Sequence, residues 1–93
     1  MPVSLLLLRV SAAWTLPGLG VLALAEGPAP HLTAYPLFTA LAVEVAWPTG
    51  QRHPGTATVE EVTRAETPER ALLLDLDPDV PAVLPGTEIW LVG

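Results

Sequence analysis

Residues 71–93 read ALLLDLDPDVPAVLPGTEIWLVG, and this stretch decides the fold class. Its first apolar run, over residues 71–74, stops at an acidic, proline-containing stretch over residues 75–79. A second apolar run over residues 89–92 follows Pro85 and Gly86. Short apolar runs separated by Asp, Pro and Gly are typical of β-strands joined by turns. The end of the chain therefore predicts two strands.

Proline and glycine also interrupt the rest of the sequence. Eleven prolines and seven glycines divide the whole chain into short runs. Residues 15–18 predict a turn, because Pro17 presets φ and Gly18 accepts a positive φ. The run over 38–47 pairs as a hairpin with the alternating run over 55–65. A single turn around residues 79–84 is the best helix candidate. The strand-sized runs cover residues 3–12, 19–25, 38–47, 55–65, 70–76 and 87–92.

Six short strands with tight turns predict an all-β fold, a small six-stranded closed or partly open β-barrel. Ninety-three residues without an internal linker make one domain, residues 1–93. A barrel also removes exposed strand edges, which so apolar a chain would otherwise leave prone to association. Hydrophobic residues are 51% of the sequence, so we expect a homo-oligomer that buries part of this surface.

The charge balance limits which partners the chain can bind. Ten acidic residues stand against four arginines, with no lysine, for a net charge of −6. Phosphate backbones require clustered positive charge, so RNA or ribosome contact is disfavoured. No cysteine is present, which excludes disulfides and thiolate chemistry. The scarcity of thermolabile residues, together with many prolines, suggests a heat-adapted or GC-rich bacterial source, and the absence of lysine fits the GC-rich alternative better.

The N-terminal 25 residues imitate a signal peptide. No cationic region precedes their apolar run, however, and Arg9, Pro17 and Gly18 interrupt it. No stretch without charge or breakers reaches the length of a membrane span. We therefore expect a cytoplasmic protein without a membrane partner.

The order of these runs resembles the second domain of translation GTPases, the β-barrel of the elongation factor Tu type. The resemblance is carried by the turn Trp14-Thr15-Leu16-Pro17-Gly18-Leu19-Gly20, the strand over 58–62 and the closing unit over 71–91. No Gly-x-x-x-x-Gly-Lys-Ser/Thr loop is present, so no nucleotide is expected. The resemblance implies a barrel that stands alone, without a GTPase domain, and contacts a translation-associated partner.

Candidate catalytic and metal sites are few. Asp75, Asp77 and Asp79 resemble the start of a calcium loop, but Val80 and Gly86 stand where an EF-hand requires Gly and Glu. His31 and His53 lie in turns and lack a third ligand. Glu60 and Glu61 would face opposite sides of a strand. We expect no metal and no cofactor.

The one basic spot is Gln51-Arg52-His53, predicted to form a loop tip, with Arg64 expected nearby. We therefore take Gln51, Arg52, His53 and Arg64 as the candidate binding surface of a non-enzymatic module with a protein partner. Two alternatives stay open: a structural homo-oligomer subunit, or a small enzyme that uses carboxylates from Asp75, Asp77 and Glu61. Trp14, Trp47 and Trp90 lie near strand ends, where core packing is expected and exposure would indicate an interface.

Overall fold

A computed structural model describes residues 4–92 of the chain. In these residues no helix is long or apolar enough to cross a membrane. The run predicted from residue 3 begins at a residue outside this range. The elements in chain order are β1 (Ser4–Leu16), β2 (Gly20–Ala25), the short 3-10 helix η1 (Leu32–Ala34), β3 (Ala40–Ala46), β4 (Arg52–Arg64), β5 (Thr67–Asp75) and β6 (Glu88–Val92).

Antiparallel pairing closes these strands into a barrel in the order β1-β2-β5-β4-β3-β6, and β6 returns to β1. The predicted hairpin is present, since β3 and β4 pair from Ala40↔Thr58 to Ala46↔Arg52. The prediction of an all-β, six-stranded closed barrel is therefore confirmed. β1 and β4 are each 13 residues long, longer than the predicted runs.

The core follows from the two-residue period of the strands. On β4, Ala57 and Val59 are fully buried, whereas Thr58 between them is partly exposed. Each buried Leu, Ile or Val contributes about 1.5–3 kcal/mol relative to an exposed one, whereas an exposed ion pair contributes about 0–1 kcal/mol. The apolar interior is thus what holds the barrel closed. Its largest fully buried side chains are Leu7, Leu32, Leu72, Leu74, Ile89, Val10, Val43, Val45, Val59 and Thr87.

β1 pairs with two different strands along its length. Its first half pairs with β6, from Ser4↔Val92 to Arg9↔Glu88, and its second half pairs with β2, from Val10↔Ala25 to Leu16↔Gly20. The register shifts once in each half, as expected where a strand bends around a barrel. At the second shift the Ser11 hydroxyl lies 3.1 Å from the carbonyl of Ala25, to which it donates.

The connection from β5 to β6 crosses one end of the barrel. Val80 and Val83 pack against the core, and the buried Trp47 donates its Nε1 proton to the carbonyl of Ala82 at 3.0 Å. The helical turn expected around residues 79–84 is wrong, because Pro78, Pro81 and Pro85 remove backbone donors. The 3-10 helix lies instead at Leu32–Ala34.

The β1–β2 turn confirms the prediction made from Pro17 and Gly18. Leu19 donates its backbone N–H to the carbonyl of Leu16 at 2.9 Å, and Gly18 has a φ of +78°. Proline followed by a residue with positive φ is typical of a type II turn. Gly20, with a φ of +136°, returns the chain to β2 so closely that a Cβ atom would lie 2.3 Å from the Leu74 carbonyl oxygen.

Candidate functional site

The structure does not bring the four residues of the predicted binding surface together. Gln51 precedes β4, whereas Arg52 and His53 lie inside β4 rather than at a loop tip, because the strand starts three residues earlier than predicted. Arg64 ends the same strand, at its far end. The expectation that Arg64 lies near Arg52 is therefore wrong.

Every arginine of the chain is engaged in an ion pair. Each lies 2.5–3.0 Å from a glutamate oxygen, and Arg64 also donates to the carbonyl of Ala25. A phosphate or other anion would have to compete with these carboxylates for each guanidinium. The pairs are Arg9–Glu88, Arg52–Glu44, Arg64–Glu69 and Arg70–Glu61.

The surplus negative charge therefore comes from a defined set of residues. Of the ten acidic residues, four are in these ion pairs and six have no ion pair within residues 4–92. The surface thus offers unneutralised carboxylates, and each arginine is already paired. The six are Glu26, Glu60, Glu66, Asp75, Asp77 and Asp79.

Of the three carboxylates considered for an enzyme, Glu61 lies apart from Asp75 and Asp77, which line one cleft. Asp75 pairs with Thr56, and Glu61 lies five residues further along β4, roughly 16 Å away at about 3.3 Å per residue. Asp77 accepts a hydrogen bond from the backbone N–H of Asp79 at 3.0 Å, so it shapes its own turn. In the described part of the chain, no three His, Cys, Asp or Glu side chains are grouped as a metal site would require.

One salt bridge changes the titration of its members. The Glu88 carboxylate accepts a hydrogen bond from Arg9 at 2.6 Å and another from Trp90 Nε1 at 3.3 Å. The hydrogen bond from Arg9 is the main cause that lowers the pKa of the Glu88 carboxyl; partial burial opposes it. The same bond raises the pKa of Arg9. The cluster ties β1 to β6 on the outside of the barrel.

An uncharged surface lies on the outside of the barrel, on the side of β2 and β5. The strand registers place five residues in one row across five strands: Trp14↔Leu22, Leu22↔Leu73, Leu73↔Thr58 and Thr58↔Ala40. Each has at least one neighbour along its strand that is buried in the core or packed against it, so alternation points these five side chains outward. The row curves around the closed barrel, and we call its apolar part on three adjacent strands, Trp14, Leu22 and Leu73, the Trp14 face.

The Trp14 face is bordered by negative charge. Glu60 lies two residues beyond Thr58 on β4, and Asp75 lies two residues beyond Leu73 on β5. Each therefore points to the same outer side as the row. An apolar centre with a charged rim is the usual anatomy of a protein interface.

The three tryptophans have different environments. Trp47 is buried, Trp90 is partly covered, and Trp14 is 52% exposed at one end of the Trp14 face. The expectation of core packing thus holds for Trp47 and fails for Trp14. Strand alternation could have found this, since Trp14 follows Ala13, which packs against the core.

A cleft of about 680 Å³ lies between the β1–β2 hairpin and the connection that follows β5. Its walls are mostly apolar, with Leu16, Val21 and Val80 among them, and its polar side chains include Asp75 and Asp77. We call it the mouth cleft, because it opens at the barrel end. The sequence did not predict it, since it depends on how residues 76–83 pass the hairpin.

Comparison with known proteins gave no match to any family model, curated protein or solved structure.

Proposed function

We propose that this barrel is a non-enzymatic binding module that docks a partner protein on the Trp14 face. The observation that carries the proposal is the group of apolar side chains on three adjacent strands, Trp14, Leu22 and Leu73, with Trp14 half exposed at one end. Tryptophan is enriched among the residues that dominate binding energy at protein interfaces. A rigid barrel holds such a row in place at little entropic cost on binding.

The charges define the partner further. Glu60 and Asp75 at the rim have no arginine partner within residues 4–92. A partner with an apolar centre and a basic rim therefore complements the face, and an acidic one is repelled. Since each arginine is already paired, an RNA backbone is the weaker candidate. A basic protein of the translation apparatus, which the family resemblance implies, is a narrower form of the proposal.

A second copy of the chain is the other candidate occupant, so a structural homo-oligomer is our second proposal. Six large hydrophobic residues among those described are more than a third exposed, a pattern that favours association. Two identical acidic rims repel each other, however, which makes a basic partner the better occupant. The six are Trp14, Leu19, Leu37, Phe38, Leu84 and Val92.

The test is an affinity capture from source cells with nuclease treatment and two matched variants. Trp14→Ser removes the aromatic side chain of the face, and Val92→Ser removes an exposed apolar side chain on β6, opposite β5 in the barrel. We expect a protein that is retained after nuclease, bound by Val92→Ser and lost with Trp14→Ser.

Three results would contradict the proposal. Recovery of ribosomes or RNA that ends after nuclease treatment and with Arg52→Ala would place binding on the predicted basic surface. Equal recovery of the partner by Trp14→Ser and by wild type would show that the partner does not dock on the Trp14 face. A lost partner that turns out to be the protein itself would favour the homo-oligomer.

A further inference from the structure

The second half of β1 has a neighbour on one side only. Residues 12–16 pair with β2, whereas β6 pairs with β1 only between Ser4 and Arg9. The last contacts on the β6 side are Val10 N–H to the Thr87 carbonyl and Gly86 N–H to the Val10 carbonyl, both 2.8 Å. The closed barrel therefore does not remove every strand edge, contrary to expectation.

The mouth cleft adjoins this edge. It is lined by Ala13, Thr15 and Leu16 of β1 on one side and by residues 80–83 on the other. Within the described residues, no backbone hydrogen bond joins these two sides. Along an unpaired edge, alternate backbone N–H and C=O groups point away from the partner strand and remain available to another extended chain.

The charges of the mouth cleft favour a basic peptide segment as its occupant. Asp75 and Asp77 line it, the lining residues include no arginine, and the sequence holds no lysine. Asp79 lies two residues further along the same connection. An arginine or lysine side chain would meet uncompensated carboxylates here and lay its alkyl stem on apolar wall residues such as Leu74 and Val80.

We propose that the edge of residues 12–16 accepts an extended, basic segment of another protein, which adds a strand to the barrel inside the mouth cleft. The segment's backbone would pair with β1, and its basic side chains would contact Asp75 and Asp77. This is strand addition, in which main-chain hydrogen bonds supply affinity and alternate side chains supply specificity. The site adjoins the Trp14 face and shares Asp75 with its rim, but its hydrogen bonds come from the β1 backbone, so it does not require the side chains of that face.

The probe is a short capped peptide of alternating valine and arginine, titrated into the whole protein and followed by NMR and amide hydrogen exchange. We expect shifts and slowed exchange at amides within residues 12–16, and weaker binding in high salt. The matched peptide with glutamate in place of arginine should not bind. Two further peptides, N-methylated on one or the other set of alternate residues, should differ, because an added strand uses only one set of N–H groups.

The protein variants are the double substitution Asp75→Asn with Asp77→Asn, and the control Glu66→Gln. Glu66 precedes β5, whereas Asp75 ends it, so the control lies at the opposite end of that strand. Exposed ion pairs are individually weak, so we expect the double variant to lose roughly three- to tenfold in affinity. The control should bind as wild type does, and Leu22→Ser, a change in the Trp14 face outside residues 12–16, should also bind the peptide, which separates this site from the proposed function.

The inference is overturned by any of four results. These are no binding at millimolar peptide, equal binding of the glutamate peptide, equal binding of both N-methylated peptides, or shifts confined to residues outside the cleft. Slow exchange of the same amides in the protein alone, with a dimer in solution, would show instead that a second copy occupies the edge.

Discussion

Glu88 shows what single side chains contribute on the outside of this barrel. Its carboxylate joins Arg9 of β1 to Trp90 of β6 through two hydrogen bonds. Because the bond from Arg9 lowers the pKa of Glu88, the interaction stabilises the folded state only while the carboxyl is ionised. The stabilisation is therefore present above the unfolded pKa of about 4.3 and is lost as the pH falls through the lower folded value.

The pH dependence of this stabilisation leads to a prediction for Glu88→Gln. At pH 7 the variant should unfold at a lower urea concentration than wild type, and the difference should shrink towards zero near pH 2, where both carry an uncharged side chain. Urea titrations at the two pH values, followed by tryptophan fluorescence, measure it. Arg9→Met should show the same pH-dependent loss. A destabilisation of equal size at both pH values would contradict the role given to the ion pair.

Gly20 is the glycine that packing requires most directly. Its φ of +136° disfavours other residues, and an added Cβ would meet the Leu74 carbonyl oxygen at 2.3 Å. We expect Gly20→Ala to reduce the free energy of unfolding by on the order of 3 kcal/mol. Gly18→Ala is the matched control: its φ is also positive, but no atom lies within 4 Å, so about 1–2 kcal/mol is expected. Equal losses in thermal unfolding would contradict the close approach of β2 to β5.

At the scale of elements, the long connection between β5 and β6 depends on Trp47. Its ring is buried in the core, and its Nε1 holds the carbonyl of Ala82 across the barrel end. This contact positions the wall of the mouth cleft opposite β1. The connection itself has no regular structure, so such anchors determine its path.

We therefore expect Trp47→Phe to lower stability by about 1–3 kcal/mol, because a partly buried carbonyl loses its donor. Amide exchange within residues 80–83 should also become faster. Trp90→Phe is the control, since its Nε1 bond, to Glu88, is longer and its side chain is less buried than that of Trp47. If the exchange rates of residues 80–83 do not change, Trp47 does not position the connection.

The sequence predicted the elements better than their ends. Alternation identified the inward residues Ala57 and Val59 and the β3–β4 hairpin, because side-chain burial is a local, two-residue pattern. It did not predict that Arg52 and His53 lie within β4, since Pro48, Gly50 and Pro54 read as a loop. Pro54 is tolerated in this strand, where it pairs with Glu44 of β3.

The candidate site was predicted less well. The sequence does not show which glutamate will pair with a given arginine. The ion pairs Arg52–Glu44 and Arg64–Glu69 form only when neighbouring strands come into register. The Trp14 face and the mouth cleft likewise depend on strand order, which local patterns do not specify.

In the whole molecule, net charge and exposed apolar surface have opposite effects on self-association. The net charge of −6 favours separate copies, whereas the exposed hydrophobic residues favour contact. In the absence of a partner we expect a weak homodimer at tens of micromolar that strengthens in higher salt, because salt screens repulsion between the acidic rims. Sedimentation velocity at low and high sodium chloride measures it. A monomer at both salt concentrations, or dimerisation unchanged in Trp14→Ser, would contradict it.

The central claim is that the Trp14 face is where a partner protein docks. The most direct test is site-specific photo-crosslinking in source cells, with a photoreactive amino acid at position 14 and, for comparison, at position 92 on β6, which pairs with Ser4 at the other end of β1. We expect a basic protein to be crosslinked from position 14 but not from position 92, and to be lost with Leu73→Arg, which adds a charge of the same sign as the partner's. Crosslinks of equal yield from both positions, or a position 14 adduct that persists with Leu73→Arg, would contradict the proposal.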